Sequence, residues 1–354
     1  VALIDAKRPG NATRASAGGL WAIGESVGLG CGVIFFRMMS ANRKRETQGA
    51  AVAVDASTPH ILPASFFDFA LQSNALYPAL HRELKDNHGM DFKFEKTGLK
   101  FVIYDDEDRL YAEHIVGCIP HLADQVRWLD QAALRAAEPS VSHEARGALE
   151  FLCDHQVSPF RLADAYMEGA RQNGVDIFVN TNVTGVLHHG SRVTGVQTAE
   201  EGVFHCKTLI NAAGAWADEV AIMAGMQPMG ITPYRRTMLQ LRMVDPVPES
   251  LPLVVGLDGS FYFKRESGFR IWLSPHDETA SPPCDAAPDE VDVARAIDRL
   301  ETVLTWRIAS VERKWAGLRS FALTCVTGAA AALTGLAGLV VAGAALVAAL
   351  VAVA

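Results

Sequence analysis

The sequence predicts an α/β fold of mixed α+β content, built on a Rossmann-like dinucleotide-binding domain interleaved with a second domain. Three observations predict it. The stretch Thr208-Leu-Ile-Asn-Ala-Ala-Gly-Ala-Trp-Ala-Asp-Glu-Val220 runs apolar and β-branched residues into small ones and then into a helical pattern. That is a short buried strand, a turn and a helix, and its small side chains let a large flat ligand lie against bare backbone. Val1-Ala-Leu-Ile-Asp5 is an apolar run ended by a carboxylate. An acid in this position closes the second strand of a dinucleotide-binding βαβ unit and bonds a ribose hydroxyl. Finally, Asn182-Val-Thr-Gly-Val186 and Ser191-Arg-Val-Thr-Gly-Val-Gln-Thr198 are two strand patterns with glycine turns, which read as a hairpin.

Composition sets the outer limits. At 354 residues, the chain has room for one large domain or two interleaved ones with an ample core. A net charge of −8 argues against a partner bound by phosphate neutralisation, so no nucleic acid is expected. Cys31, Cys118, Cys153, Cys206, Cys284 and Cys325 are scattered without a CxxC or a Cys/His ligand spacing. They read as free thiols, with no metal site and no iron–sulfur cluster of this chain's own. The opening residues carry no secretory pattern, and a G-x-G-x-x-G turn is expected about 20 residues before Asp5.

In chain order, Asp5 is followed by Lys7-Arg-Pro-Gly-Asn-Ala-Thr-Arg-Ala-Ser-Ala-Gly-Gly-Leu20, rich in small and hydroxyl residues that can approach a pyrophosphate or a flavin ring. The segment continues into Leu20-Trp-Ala-Ile as a buried run. Residues 21–150 read as mostly helical with strand breaks. Phe66 to Pro78 has apolar positions at helical spacing, and its aromatics read as core. Thr97 to Tyr104 alternates as a strand and meets Asp105-Asp-Glu-Asp, a solvated turn. Asp124 to Pro139 reads as a helix stopped by Glu-Pro. Gln156 to Arg161 leads into a helix through Ala170, and His155, His188 and His189 read as exposed turn residues without a catalytic role.

Several of these segments carry a resemblance. NAAGAWA at 211–217 resembles the late dinucleotide-contacting strand of the FAD-dependent amino-acid oxidoreductases of the D-amino-acid oxidase superfamily. KRPGNATRASAGGLWAIGESVGLGCGVIFF, FKFEKTGLKF, ALEFLCDHQVSPFRLADAY and NTNVTGVLHHGSRVTGVQT narrow it, over roughly residues 1–220, to the flavin subunits of bacterial hydrogen cyanide synthases. Beyond about residue 225, ITPYRR at 231–236 and GSFYFK at 259–264 look more like the D-arginine dehydrogenase branch, whereas WAGLR at 315–319 is common to both.

The resemblance implies FAD as cofactor and a fold of the D-amino-acid oxidase and glycine oxidase type with an antiparallel-sheet substrate domain. Residues 1–40, 141–225 and 310–354 would form the FAD-binding domain, and residues 41–140 and 226–309 the substrate domain. Asp5 would hold the ribose; Thr13, Ser16, Ala17, Gly18 and Gly19 would pass under the isoalloxazine; Val183 would meet adenine through its backbone. Asn211, Ala212, Gly214 and Trp216 would line the dinucleotide. Arg319 is the first choice for a bidentate anchor of the substrate carboxylate. Arg236 and Tyr262 match further pocket residues of the dehydrogenase branch, although Arg236 reads equally as a surface ion pair.

The implied reaction is oxidation of glycine to hydrogen cyanide and carbon dioxide through an imine. Its electrons would leave to partner redox subunits, an iron–sulfur subunit and a second flavin subunit. A membrane electron acceptor would place such a complex on the cytoplasmic side of the inner membrane. A stand-alone D-amino-acid dehydrogenase and a non-catalytic flavoprotein scaffold in a redox assembly are the alternatives. Residues 322–354 contain no charge and are long enough to span a bilayer, yet they lack polar flanks and an aromatic belt. They read more readily as unassigned side chains than as a membrane helix, and the family's glycine-rich flavin turn is not legible there.

Overall fold

The computed structural model describes residues 1–7, 12, 16–24, 26–27 and 64–319. Its elements run β1 (Ala2–Asp5), β2 (Gly19–Leu20), α1 (Ala64–His88), β3 (Leu99–Ile103), α2 (Asp106–Cys118), β4 (Val126–Asp130), α3 (Gln131–Ala137), β5 (Gly147–Phe151), β6 (His155–Gln156) and α4 (Pro159–Gln172). Then come β7 (Asp176–Val179), β8 (Val183–His189), β9 (Arg192–Thr198), β10 (Val203–His205), α5 (Ala217–Met223), β11 (Tyr234–Met243), β12 (Leu253–Gly256), β13 (Tyr262–Ser267), β14 (Arg270–Ser274), β15 (Thr279–Ala280), α6 (Glu290–Val303) and β16 (Ile308–Arg319).

A nine-stranded sheet dominates, in the order β15-β11-β14-β13-β12-β3-β5-β4 with β16 paired to β11. It is antiparallel except where β12 runs parallel to β3. The sheet draws in β5 and β16, which the expected division assigns to the FAD-binding part. Alternation sorts its side chains onto two faces. Met238, Trp272, Tyr262, Val255, Phe101 and Leu149 pack in one cluster with Trp21, Ile23 and residues of α2. Leu239, Leu241, Ile271, Phe263 and Val254 pack in another, against Val293, Ala296 and Leu300 of α6. The first face holds the site described below. The dinucleotide side is smaller: β1 pairs in parallel with β7, and β8, β9 and β10 form an antiparallel meander.

Four local expectations change. The acidic run 105–108 is a helix start: Asp105 caps α2 by accepting from the Asp108 amide, and Asp106, Glu107 and Asp108 complement the helix dipole. The expected helix from Asp124 is split, because Val126–Asp130 pairs with β5 and only Gln131–Ala137 coils, capped by Asp130. His155 is no turn residue; it pairs with Leu20 across β6 and β2 and meets Phe94 edge-on. Thr208–Asn211 forms no strand and has no ladder partner among the described residues, and Ile210 is 57% exposed. A strand needs a neighbour to take its amides, and the ladder bonds of β1 go to β7. Among the described residues no helix is long and apolar enough to cross a membrane.

Lys100 is the second residue of β3 and is buried, with its ammonium 3.0 Å from Glu138 Oε1 and 3.1 Å from Glu150 Oε1. Arg127 takes the other oxygen of Glu150. Burial raises the Glu138 carboxyl against the pull of Lys100. Lys100→Met therefore strands the buried Glu138 carboxylate and leaves Glu150 with Arg127 alone, and it is expected to cost about 3–5 kcal/mol. The thermal midpoint should fall by roughly 10 °C. The loss should be smaller at pH 5 than at pH 8, because protonation relieves the stranded charge while the unfolded chain ionises freely.

Candidate active site

The first face of the sheet carries a polar and aromatic stripe within its apolar cluster. On β11, Tyr234, Arg236, Met238 and Gln240 share a pleat, and the pairing with β16 sets Arg319 opposite Tyr234, Gly317 opposite Arg236 and Trp315 opposite Met238. Arg319 is thus placed by its backbone at the end of this row; its side chain lies outside the described residues. Tyr262 on β13 is buried, and its hydroxyl donates to Met238 Sδ at 2.9 Å. His276 follows β14 with φ of +54° and stands 4.6 Å from the Tyr262 ring. Its Nδ1 is 2.6 Å from Gly259 O, which makes Nδ1 the protonated ring nitrogen.

Arg236 is also buried, so it is no surface ion pair. Its Nη1 donates to Asp277 O at 2.9 Å and its Nη2 to Glu278 Oε1 at 2.5 Å. Two guanidinium nitrogens are therefore already engaged by the chain. The Asp277 carboxylate accepts from Thr237 N and Thr237 Oγ1 at 2.6 and 2.8 Å, while burial raises its pKa.

Facing this stripe is the segment Ser16–Trp21. Gly18 has φ of +77°, and a Cβ there would lie 2.3 Å from Val157 O, so only glycine fits. Gly19 pairs with Gln156 between β2 and β6, and its Cβ would fall 1.9 Å from Trp21 Nε1. Ala17 is buried, while Ser16, Gly18 and Gly19 are half-buried. Thr13 lies outside the described residues. The fully buried Asp154 fixes the exit of this turn, accepting from Ile23 N at 3.0 Å and Gly24 N at 2.9 Å.

Asp5 ends β1, and Thr181 N donates to its carbonyl at 2.9 Å. Burial pushes its carboxyl up to about 6, against a hydrogen bond from Lys7 N at 2.7 Å. Val183 opens β8, which packs on α5. Ala212, Gly214 and Trp216 are buried in the turn before α5, where Gly214 has φ of +52°. Asn211 braces that turn from within: its Nδ2 donates to Ala217 O at 2.8 Å and its Oδ1 accepts from Ala213 N at 3.2 Å.

These residues fit a dinucleotide and a flat ring. The carboxyl at the tip of β1 is held above its ordinary range by burial, the turn at 212–217 is small-sided, and Ser16–Gly19 carries no large side chain. Asp5, Val183 and the 212–216 turn would hold the nucleotide portion, and Ser16–Gly19 would lie along the ring.

Beside the stripe is a cavity of ≈ 490 Å³, lined among others by Lys264, Trp272, Phe160, Arg161, Glu95 and Glu266. Lys264 is buried and donates to Val157 O at 2.8 Å, and burial pulls its ammonium down to about 8. Phe160 stacks on Trp272, which leans on Trp315. Sequence reasoning assigned no role to Trp21, Lys264 or His276. A Trp directly after Gly-Gly, and a Lys within the apolar alternation Phe261-Tyr-Phe-Lys264, were the available signals.

The model of the DAO family, described as FAD dependent oxidoreductase, matches residues 1–349. The chain is 63% identical over 319 residues to the hydrogen cyanide synthase subunit HcnC of Pseudomonas protegens, covering 90% of this chain and 75% of that one. It is 59% identical to HcnC of Pseudomonas aeruginosa over the same shares. Both matches take in the two halves of the chain, including the part that looked closer to D-arginine dehydrogenase. Among solved structures, glycine oxidase from Geobacillus kaustophilus superposes with a TM-score of 0.67 at 21% identity, covering 88% of this chain and 73% of that one. A bare glycine turn set against an aromatic sheet face is what a buried flavin requires, and the chain belongs to the DAO family of FAD-dependent oxidoreductases.

Proposed function

We propose that this chain is the glycine-oxidising flavin subunit of a hydrogen cyanide synthase. The observation that carries the reading is the 63% identity to HcnC across 90% of the chain. Glycine would lose two electrons and two protons to give the imine. The imine would lose two more of each, with carbon dioxide, to give hydrogen cyanide. FAD, when bound, supplies the acceptor for each electron pair.

The chain's own residues supply the binding and the dry surroundings. Arg319 would clamp the carboxylate, and Tyr262 would form the wall beside it, held by Met238. Arg236, engaged by Asp277 and Glu278, would stiffen that end of β11 and lend positive charge to the carboxylate site. The apolar cluster around Trp21, Met238 and Trp272 would keep water from the imine. Four electrons must leave, so partner redox subunits are implied, an iron–sulfur subunit and a second flavin subunit in the fuller reading. Such a complex would serve a membrane acceptor from the cytoplasmic side.

A D-amino-acid dehydrogenase acting on cationic side chains is the second reading. It rests on the resemblance of ITPYRR at 231–236 and GSFYFK at 259–264 to the D-arginine dehydrogenase branch, while the ≈ 490 Å³ cavity mixes Glu95, Glu249 and Glu266 with Lys93, Arg161, Lys264 and Arg265. A panel of amino acids given to the holoprotein with its native partners separates the two, with dye reduction and cyanide release recorded together. Cyanide from glycine alone is the expected outcome; dye reduction by D-arginine without cyanide would sink the synthase reading.

Arg319→Leu is expected to keep its flavin and to lose roughly a hundredfold in kcat/KM for glycine, since a charged hydrogen-bonding partner contributes about 1.5–3 kcal/mol. Unchanged kinetics would remove Arg319 from the site. For Asp5, burial holds the carboxyl at about 6, above its ordinary value of 3.8. Its ionised form is the better acceptor for ribose hydroxyls, so FAD affinity of the apoprotein should rise between pH 5 and pH 7. Its contribution to apoprotein stability runs the other way and falls as pH rises from about 4 to about 6. Asp5→Asn should flatten both slopes in flavin fluorescence titrations and thermal melts.

A further inference from the structure

The cavity beside the sheet is lined by charges of both signs, but its acids and its cations are not equally engaged. Glu95 accepts from Gln156 Nε2 at 2.9 Å and stands 3.6 Å from Arg265 Nη1. Glu249 stands 3.4 Å from Arg265 Nη2, and Glu266 accepts from Gln240 Nε2. Arg265 is thereby engaged by two of the acids, and Lys93 by Asp91 at 3.3 Å. Two cations of the lining remain. Lys264 is buried and donates to the Val157 carbonyl, with no ion pair among the described residues. Arg161 is exposed and takes part in no ion pair or side-chain hydrogen bond among the described residues. A buried ammonium without a paired carboxylate is costly, and an anion brought to it relieves that cost.

The same wall has two further features that suit an anion with a flat body. Phe160 and Arg161 lie in the first turn of α4, whose amides have no acceptor within the helix, and Ser158 at its N-cap makes no side-chain bond to them. Phe160 also stacks on Trp272, with ring centroids 5.9 Å apart and planes at 28°, so aromatic surface lies next to the cations. The cavity is separate from the carboxylate anchor assigned to Arg319. Lys264, Trp272 and Gln240 form one row across the sheet, whereas Arg319 pairs with Tyr234. Tyr234 and Gln240 are six residues apart on β11, roughly 20 Å at about 3.4 Å per residue. We propose that the cavity is an accessory binding site for a carboxylate with a flat apolar body, held by Lys264 and Arg161 against the Phe160–Trp272 stack. Its volume of ≈ 490 Å³ suits a ligand larger than glycine. Such a ligand stands one peptide from the turn assigned to the flavin ring, because Val157 O accepts from Lys264 and Val157 N donates to Gly18 O. The assignment goes beyond the glycine reading and does not depend on it.

The test is calorimetric titration of the flavin-loaded full chain with benzoate, with benzyl alcohol as the uncharged counterpart and acetate as the carboxylate without a ring. Benzoate should bind saturably, and each control about tenfold more weakly. Arg161→Gln should weaken benzoate about tenfold, and Lys264→Met by tenfold or more, at unchanged flavin content. Arg161 is exposed, so its variant keeps the test decisive if Lys264→Met fails to fold. Arg319→Leu should retain benzoate binding, which separates this cavity from the substrate anchor. Benzoate affinity that survives both Arg161→Gln and Lys264→Met, or that is lost only in Arg319→Leu, overturns the assignment. So does the absence of saturable benzoate binding in the millimolar range. Benzyl alcohol binding as well as benzoate would overturn the role of the two cations, and acetate binding as well as benzoate would overturn that of the aromatic stack. Failure of the protein to oxidise glycine leaves each of these outcomes readable, because none of them is measured through turnover.

Discussion

Two residues of backbone, His155 and Gln156, join the parts of this protein, and Val157 completes the joint. Gln156 exchanges two hydrogen bonds with Glu95 on one side and pairs with Gly19 on the other. Val157 N then donates to Gly18 O at 2.8 Å, and Val157 O accepts from Lys264 on β13 at 2.8 Å. A buried carbonyl must be bonded. Here the bond comes from the large sheet while the amide holds the glycine turn. The turn, the helix α4 and the sheet face are thereby fixed relative to one another. Gly18 is part of the same constraint, since any side chain would push Val157 off its partners.

That constraint explains why so many ionised groups stand inside the protein next to its candidate chemistry. Lys264, Arg236, Glu278 and Asp277 are buried on or beside a face that is otherwise apolar. Burying ions is unfavourable unless each finds partners. Arg236 has them in Glu278 and a backbone carbonyl, and Asp277 has them in Thr237. Lys264 donates to the Val157 carbonyl and feels Glu95 and Glu266 at a greater distance, and burial pulls its ammonium down to about 8. An arrangement of this kind adds little net stability. It does fix one geometry for Tyr262, Met238 and Trp272, which share the pleat.

The two ends of the candidate site differ in how they are built. At the nucleotide end the chain offers backbone and small side chains, with Asn211 spent on bracing its own turn. At the sheet end it offers large aromatic groups locked against each other, Trp21 on Tyr262 and Tyr262 on His276. A cofactor bound mainly through backbone and a substrate bound mainly through side chains follow from that division.

The sequence by itself determined the fold class, the hairpin at 183–198, the helix after Pro159 and the family. All of these depend on local pattern or on motifs read within one segment. It also determined that Gly18 and Gly19 matter, because Gly-Gly after a hydroxyl-rich run has few other uses. Only the tertiary structure decided that Val126–Asp130 is a strand and that Thr208–Asn211 lacks a ladder partner among the described residues, because ladder bonds come from neighbours distant in the chain. It alone decided that Arg236 is buried and already paired, since its partner Glu278 is forty-two positions away. The same holds for the orphaned Trp21 indole. Its ring meets Tyr262 edge-on and its Nε1 has no hydrogen-bond partner among the described residues, and no periodicity in the sequence connects position 262 to position 21.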